Sequence, residues 1–197
     1  MIKANIAREY PHHFAKSVST NKSLFVADYT AQTQSWRGTE MFAGTPPTDS
    51  CHYFSLQNDA HIQIVGIVFD PNKSFVRPDG NALSQCECAV FPETSGTDSW
   101  IFFAELKYYC GSKDEAIENT LKKAINQLMA TRTYYISKGI FSKNNICYLL
   151  ASLPMQAEPF SQFALDPADL QQLKKTDNIV LRLQNHAEIQ DDKIINV

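Results

Sequence analysis

A glutamate and a lysine two positions apart, Glu105 and Lys107, stand inside an apolar run over residues 100–109. Ionised side chains rarely enter such a run unless they are paired or take part in binding or catalysis. Because side chains alternate between the faces of a strand, both charged groups are expected on the face that carries Ile101 and Phe103. This predicted strand is therefore a candidate site for binding or catalysis.

A second carboxylate, Glu87, lies in the preceding apolar segment, and a polar loop over residues 93–99 separates that segment from Glu105. Two strands joined by such a loop predict an antiparallel hairpin in which Glu87 approaches Glu105, with the register left open. Two adjacent carboxylates repel each other unless a divalent cation lies between them, and hard oxygen ligands favour Mg²⁺ or Mn²⁺. A lysine such as Lys107 beside the ion can orient water and stabilise charge on a phosphate. The three residues predict metal-assisted hydrolysis of a phosphodiester.

Further elements are expected to position this hairpin. The predicted strands cover residues 24–27 (or the start of a helix), 61–69, 85–92, 100–109, 145–152 and 179–183. The predicted helices cover residues 2–18 with an interruption at Pro11, 112–134 and 167–175, the second beginning with a capping box of Ser112 and Glu115. Residues 36–42 are predicted to be a loop packed on the core through Trp36 and Phe42. This order predicts a single mixed α/β domain over residues 1–197.

The segments at residues 86–91 and 102–107, followed by a helix that carries Gln127, resemble the core of the PD-(D/E)xK superfamily. Members of this superfamily are the restriction-endonuclease-like nucleases. Their pattern is an acid on one strand, acid-x-Lys on the next, and then a helix that often carries a glutamine. The resemblance covers residues 78–152 and implies a nuclease-like core at about residues 61–152, with a mixed central sheet flanked by helices.

The resemblance also implies a role for each matching residue. Glu87 and Glu105 would hold Mg²⁺ or Mn²⁺ together with the carbonyl oxygen of Leu106. Lys107 would position the attacking water, and Gln127 would be an accessory catalytic residue. The implied substrate is nucleic acid, with DNA expected before RNA.

The chain departs from the family pattern at several positions. The first acid is usually an aspartate, so Asp79 is kept as an alternative metal ligand, although residues 78–80 are also a strong turn signal. The Gln-x-x-x-Tyr pattern of one nuclease branch is absent because Thr131 stands in the tyrosine position. A glutamate on the first helix contributes in many members, and Glu9 and Glu40 both remain candidates.

Composition and charge restrict the function classes. With 18 Lys and Arg against 21 Asp and Glu in 197 residues, the net charge of -3 excludes a protein that coats nucleic acid through bulk charge. The charge is divided into blocks, since residues 61–106 sum to -4 and residues 107–143 sum to +4. An acidic strand region that leads into a basic helix is typical of a metal site beside a phosphate-contacting surface.

Cysteine usage and hydropathy indicate the compartment. Five cysteines at irregular spacing, without C-x-x-C, argue against a disulfide framework or a zinc site and favour a cytoplasmic protein. Cys86 and Cys88 are expected on one face of their strand, opposite Glu87. The sequence shows neither a signal peptide nor an apolar window long enough to span a bilayer, so no membrane association is expected.

Two other interpretations stay open at this point. A catalytically inactive protein with the same fold could bind nucleic acid or a protein partner, because a fold does not secure an activity. A structural protein in which Glu105 and Lys107 form only an ion pair is the third interpretation. A homodimer is compatible with each of them.

Overall fold

The computed structural model describes residues 1–34, 37–70, 75, 80–81, 83–94, 96, 99–160, 165–193 and 195–197. The helices in these ranges are α1 (Ile2–Glu9), α2 (Pro11–Phe14), α3 (Tyr29–Thr33), α4 (Asp114–Ser137) and α5 (Pro167–Asp177). The strands are β1 (Val18–Thr20), β2 (Leu24–Asp28), β3 (Thr39–Ala43), β4 (Phe54–Gln57), β5 (Ile64–Val68), β6 (Cys88–Pro92), β7 (Ile101–Leu106), β8 (Cys147–Ser152), β9 (Ile179–Leu183), β10 (His186–Ile189) and β11 (Ile195–Asn196). The predicted mixed α/β class is confirmed.

The larger sheet has six strands in the order β1-β5-β6-β7-β8-β9. Strands β5, β6 and β7 form an antiparallel meander, whereas β7, β8 and β9 run parallel. Parallel neighbours require a crossover connection, and α4 and α5 supply these two crossovers. The predicted hairpin is thus confirmed, and its second strand lies in the middle of the sheet.

A second sheet packs against one face of the first. Its five strands run in the order β11-β10-β4-β2-β3, with β10 parallel to β4 and the other neighbours antiparallel. Aromatic stacking joins the two layers, since the ring centroids of Phe54 and Phe102 lie 5.5 Å apart. The six-stranded sheet therefore has helices on one face and a sheet on the other.

Strand alternation separates the two hydrophobic cores. Ile101 and Phe103 of β7 pack with Leu121 of α4 in the helix-covered core. Phe102 points the opposite way and packs with Leu56 of β4 between the sheets. The predicted faces of this strand are confirmed, because a period of two sends neighbouring side chains to opposite sides.

The predicted start of α4 is wrong by one residue. The N-cap is Lys113, and no side chain caps the helix there. With the cap at Lys113, Glu115 is the second helical residue rather than the third, so the spacing of a capping box with Ser112 is lost. Asp114 and Glu115 still lie in the first turn, where their charges interact favourably with the helix dipole.

Apart from β2, which matches the strand alternative for residues 24–27, the second sheet is the main feature that the sequence did not predict. Strand β3 replaces most of the loop predicted for residues 36–42, while Trp36 lies outside the described residues. Strands β4, β10 and β11 were not predicted. Phe54 and Leu56 are buried while Ser55 and Gln57 are only partly buried, a period-two pattern that could have indicated β4.

The predicted common face of Cys86 and Cys88 is also wrong. Cys86 packs in the helix-covered core, whereas Cys88 packs between the sheets. Strand β6 begins at Cys88, so regular alternation does not extend back to Cys86. All five cysteines are free thiols.

Within the described ranges, no helix combines the length and the apolar character needed to cross a bilayer.

Candidate active site

The β6–β7 register places Glu87 and Glu105 at the same end of the hairpin. Cys88 pairs with Ala104, so Glu87 and Glu105 each lie one residue beyond that pair. The amide of Glu87 donates a 3.1 Å hydrogen bond to the carbonyl of Ala104, which fixes the backbone at this point. The register that the sequence left open therefore brings the two glutamates side by side.

Glu105 is completely buried, and Lys107 is its charged partner. The side chain of Glu105 has 0% exposure, whereas that of Lys107 is 28% exposed. The Lys107 ammonium forms an ion pair with Oε1 of Glu105. The amide of Lys107 donates a 2.9 Å hydrogen bond to the carbonyl of Ser152, so the end of β8 anchors the lysine backbone.

The three charged groups interact electrostatically. Burial, and then the nearby Glu87 carboxylate, raise the pKa of Glu105 to about 8, although the Lys107 ammonium acts in the opposite direction. Burial also raises the pKa of Glu87, and Lys107 opposes that shift. Two carboxyl groups with raised pKa values beside a lysine are often found at functional sites.

The second sheet contributes a residue that the sequence did not identify. The hydroxyl of Thr39 on β3 donates a hydrogen bond to Oε2 of Glu87 and lowers the pKa of that carboxyl. The carboxylate of Asp28 acts on Glu87 in the opposite direction. No local pattern links Thr39 to Glu87, since the contact joins strands of different sheets.

Helix α4 holds the backbone that leads into Glu87. Nε2 of Gln127 donates a 2.9 Å hydrogen bond to the carbonyl of Gln85. The amide of Cys86 donates a 2.9 Å hydrogen bond to the hydroxyl of buried Thr131. The contact that the structure gives Gln127 is therefore with the chain just before Glu87, which makes it a positioning residue.

The alternative site residues fall in different places. Asp79 lies outside the described residues. Glu9 contacts Arg8 of its own helix at 2.8 Å. Glu40 binds Arg37 through contacts of 2.6 and 2.8 Å, and it follows Thr39 directly on β3. Glu9 does lie on the first helix, whereas Glu40 lies on strand β3, so the predicted helical position is wrong for Glu40, although it lies beside a residue that contacts the site.

Leu106 occupies the position between the two charged residues of β7. Its side chain is buried between the sheets. Only its backbone carbonyl is therefore available for the metal-binding role that the resemblance implies.

Two clefts flank the charged cluster. The α3 cleft, of about 690 Å³, is lined by Tyr29, Ala31, Gln32, Thr33, Arg37, Asp49, Ser50, Cys51, His52, Tyr108, Cys110 and Met155. The β3 cleft, of about 600 Å³, is lined by Lys16, Val18, Thr30, Arg37, Gly38, Thr39, Glu40, Met41, Val68, Phe69 and Asp70. Glu87, Glu105 and Lys107 line neither cleft, but Thr39 and Tyr108 connect them to both.

Oxygen ligands for a divalent cation could come from the two glutamate carboxylates. Oε1 of Glu105 is already in contact with the Lys107 ammonium, and the backbone amide of Glu87 also acts on this carboxyl, so a cation would have to share the carboxylate with these donors. Within the described part of the chain, no group of three or more His, Cys, Asp and Glu side chains is placed to hold a metal. A cation here would be bound by two carboxylates and completed by backbone oxygen or water, which is the coordination that Mg²⁺ accepts.

Comparisons of the chain with protein-family models, with curated proteins and with solved structures gave no match. Function is therefore inferred from the site itself.

Proposed function

We propose that the protein is a Mg²⁺-dependent phosphodiesterase that cleaves nucleic acid, with DNA favoured over RNA. The observation that carries the proposal is the placement of Glu87 and Glu105 at one end of the β6–β7 hairpin, with Lys107 in contact with Glu105. Two adjacent carboxylates with raised pKa values indicate a site suited to positive charge.

The order of elements supports a restriction-endonuclease-like core. An antiparallel meander of β5, β6 and β7 is followed by the crossover helix α4 and the parallel strand β8. This order is similar to the strand-strand-helix-strand pattern of the PD-(D/E)xK superfamily. The proposed core covers about residues 61–152. Its mixed central sheet has α4 on one face, but the other face is covered by the five-stranded sheet rather than by the helices that the resemblance implies.

Each site residue has a role in this proposal. Glu87, Glu105 and the Leu106 carbonyl would hold Mg²⁺ or Mn²⁺, which supplies Lewis-acid polarisation of the phosphoryl group when bound. Lys107, fixed by its contact with Glu105, would orient water and stabilise negative charge on the phosphate. Thr39 keeps the Glu87 carboxylate oriented and favours its ionised form.

The charge distribution agrees with a polyanionic substrate. Residues 107–143, which include α4, carry seven Lys or Arg residues and three acids. Basic side chains that follow a metal site along the chain can contact the flanking phosphates of a strand.

A second candidate function is a catalytically inactive protein that binds nucleic acid or a protein partner through the same fold. Full burial of Glu105 favours it, because the Lys107 ion pair alone already offsets part of the buried charge. The location of the three charged residues outside both clefts favours it as well.

Cleavage by the wild type and by Lys107→Ala decides between these candidates. We expect the wild type to cleave DNA in Mg²⁺ or Mn²⁺, and the variant to lose at least about a hundredfold in rate. Lys3→Ala is the matched control, because Lys3 forms an ion pair with Glu93 at the other end of β6.

The outcomes separate clearly. Unchanged cleavage by Lys107→Ala would contradict the role of this lysine. Binding of DNA or RNA without cleavage by the wild type would favour the inactive protein. Thermal unfolding of both lysine variants shows whether a lost activity is only a lost fold.

A further inference from the structure

The α3 cleft has walls that are fixed in place by hydrogen bonds. The hydroxyl of Tyr29 donates to Oδ1 of Asp49 at 2.9 Å. Gln32 binds the backbone of His52 twice, at 2.7 and 2.9 Å, so helix α3 and the segment around residues 49–52 form one unit. A cleft with such walls is preformed, which is common for ligand sites.

The cleft also exposes an apolar side chain to water. Met155 is 37% exposed, and among the described residues only Met1 is another large hydrophobic side chain with comparable exposure. Methionine is polarizable and adapts to flat ligands, which makes it a common residue at binding surfaces. Met155 therefore offers an accessible apolar surface inside the α3 cleft.

A planar cation lies at the boundary between the two clefts. The guanidinium of Arg37 is 3.7 Å from the centroid of the Tyr29 ring, and Glu40 holds it through two contacts. Arg37 lines both the α3 cleft and the β3 cleft. Guanidinium planes and aromatic rings are the surfaces on which nucleobases stack in single-stranded nucleic acids.

Tyr108 connects the α3 cleft to the charged cluster. It follows Lys107 in the chain, and its hydroxyl accepts a 3.0 Å hydrogen bond from the amide of Asp28. The Glu87 carboxylate contributes to the raised pKa of Tyr108, so the two groups interact electrostatically. Tyr108 therefore joins the wall of the α3 cleft to the residue that precedes it in the chain, Lys107.

We infer that the α3 cleft binds a nucleobase of the strand whose phosphodiester is cleaved. This inference rests on the proposed function, because the site beside the cleft supplies the reason to expect nucleic acid. The base would stack against Met155 and the Arg37 guanidinium, and its sugar would lead toward Tyr108 and Lys107.

The four methionines allow a direct test by methyl NMR. Met155 lines the α3 cleft and Met41 the β3 cleft, Met129 lines a separate pocket beside Tyr134 on α4, and Met1 begins the chain. The protein labelled at its methionine methyl groups is titrated with a short single-stranded DNA without divalent metal, so that no cleavage occurs. The same strand with abasic sites supplies the phosphates without the bases.

We expect the Met155 methyl signal to shift with the base-bearing strand and to stay unchanged with the abasic strand. The Met129 signal reports on a distant surface and should not respond to either strand. A Met155 shift of equal size with both strands, or no Met155 shift with a strand that binds, would overturn the inference.

Filling the cleft provides a second test. Ala31→Trp places a large ring in the α3 cleft, and we expect it to weaken binding of the base-bearing strand roughly tenfold, as expected for one lost stacking contact. Ala168→Trp is the matched control, because Ala31 and Ala168 are both exposed and their amides donate to helix-capping aspartates at 3.2 and 2.8 Å. Equal affinity of the two variants would overturn the inference.

Failure of the inference can be distinguished from failure of the proposed function. If the protein cleaves DNA in the presence of metal but the Met155 methyl signal does not respond to the bound base-bearing strand, the base site is contradicted and the proposed phosphodiesterase activity is retained. A Met155 response that requires bases, in a protein that cleaves neither DNA nor RNA, retains the base site and contradicts the phosphodiesterase.

Discussion

Two glutamate–lysine ion pairs at different places in the larger sheet have opposite electrostatic character. Glu105 of β7 pairs with Lys107, and Glu93, which follows β6, pairs with Lys3 of α1. The Glu105 side chain is fully buried, whereas the Glu93 side chain is 26% exposed. The pKa of Glu105 is raised to about 8, and that of Glu93 is lowered.

The difference teaches that one lysine does not determine the charge state of a buried carboxyl. Lys3 lowers the pKa of Glu93 first of all, and the Ser19 hydroxyl adds a 3.0 Å hydrogen bond. Glu105 has its lysine but is removed from water and lies near a second carboxylate, so desolvation and repulsion outweigh the ion pair. The Glu93–Lys3 pair is suited to stabilising the fold, whereas the Glu105–Lys107 pair is suited to binding positive charge.

The largest expected effect is the change in the free energy of unfolding when Glu105 or Glu93 is replaced by the neutral glutamine. At pH 8, Glu105→Gln should stabilise the protein by on the order of 1–3 kcal/mol, because it removes a charge that burial penalises. Glu93→Gln should destabilise it by less than about 1 kcal/mol, because it removes a favourable and partly exposed ion pair. Urea unfolding of both variants beside the wild type measures the two free energies.

The pH dependence of these differences follows from the direction of each pKa shift. The folded state holds a proton on Glu105 up to about pH 8, above the ordinary glutamate pKa, so wild-type stability should fall as the pH rises through that window. At pH 5 the Glu105→Gln gain should therefore nearly vanish. The Glu93→Gln loss should persist at neutral pH and shrink as the pH falls below the ordinary glutamate pKa. A Glu105→Gln gain of equal size at both pH values would contradict the raised pKa.

The second expected effect concerns added metal. At about ten times its Kd, Mg²⁺ should stabilise the wild type by about 1.4 kcal/mol at pH 8, since it binds the folded state. The gain should be smaller at pH 5, because protons compete for Glu105. Glu105→Gln should lose the gain and Glu93→Gln should keep it. Equal stabilisation of both variants by Mg²⁺ would place the ion elsewhere.

The smallest expected effect comes from two hydroxyl groups, that of Thr39 beside Glu87 and that of Ser19 beside Glu93. Thr39→Val removes a hydrogen-bond donor to Glu87, so the pKa of Glu87 should rise. The acidic limb of the plot of cleavage rate against pH should then move to higher pH by about half a unit to one unit. Ser19→Ala removes the matching donor to Glu93, which lies at the opposite end of β6. Its cleavage profile should match the wild type. Identical profiles for Thr39→Val and Ser19→Ala would show that Thr39 does not set the ionisation of Glu87.

Much of the larger sheet could be predicted from local pattern. Long apolar segments and a period of two predicted β5 to β9, and helical spacing predicted α4. The alternation within β7 also predicted that Glu105 shares a face with Phe103, since this depends only on the backbone. Most of the second sheet, apart from β2, escaped prediction because its strands are short and because β10 pairs with β4, a strand far away in sequence.

The sequence by itself determined which residues could do chemistry: two glutamates and a lysine on neighbouring strands, followed by a helix. Only the tertiary structure decided the β6–β7 register, the full burial of Glu105 and the contact of Thr39 with Glu87. The physical reason is that charge state depends on desolvation and on groups from distant segments. Such groups meet only when the two sheets and α4 have packed together.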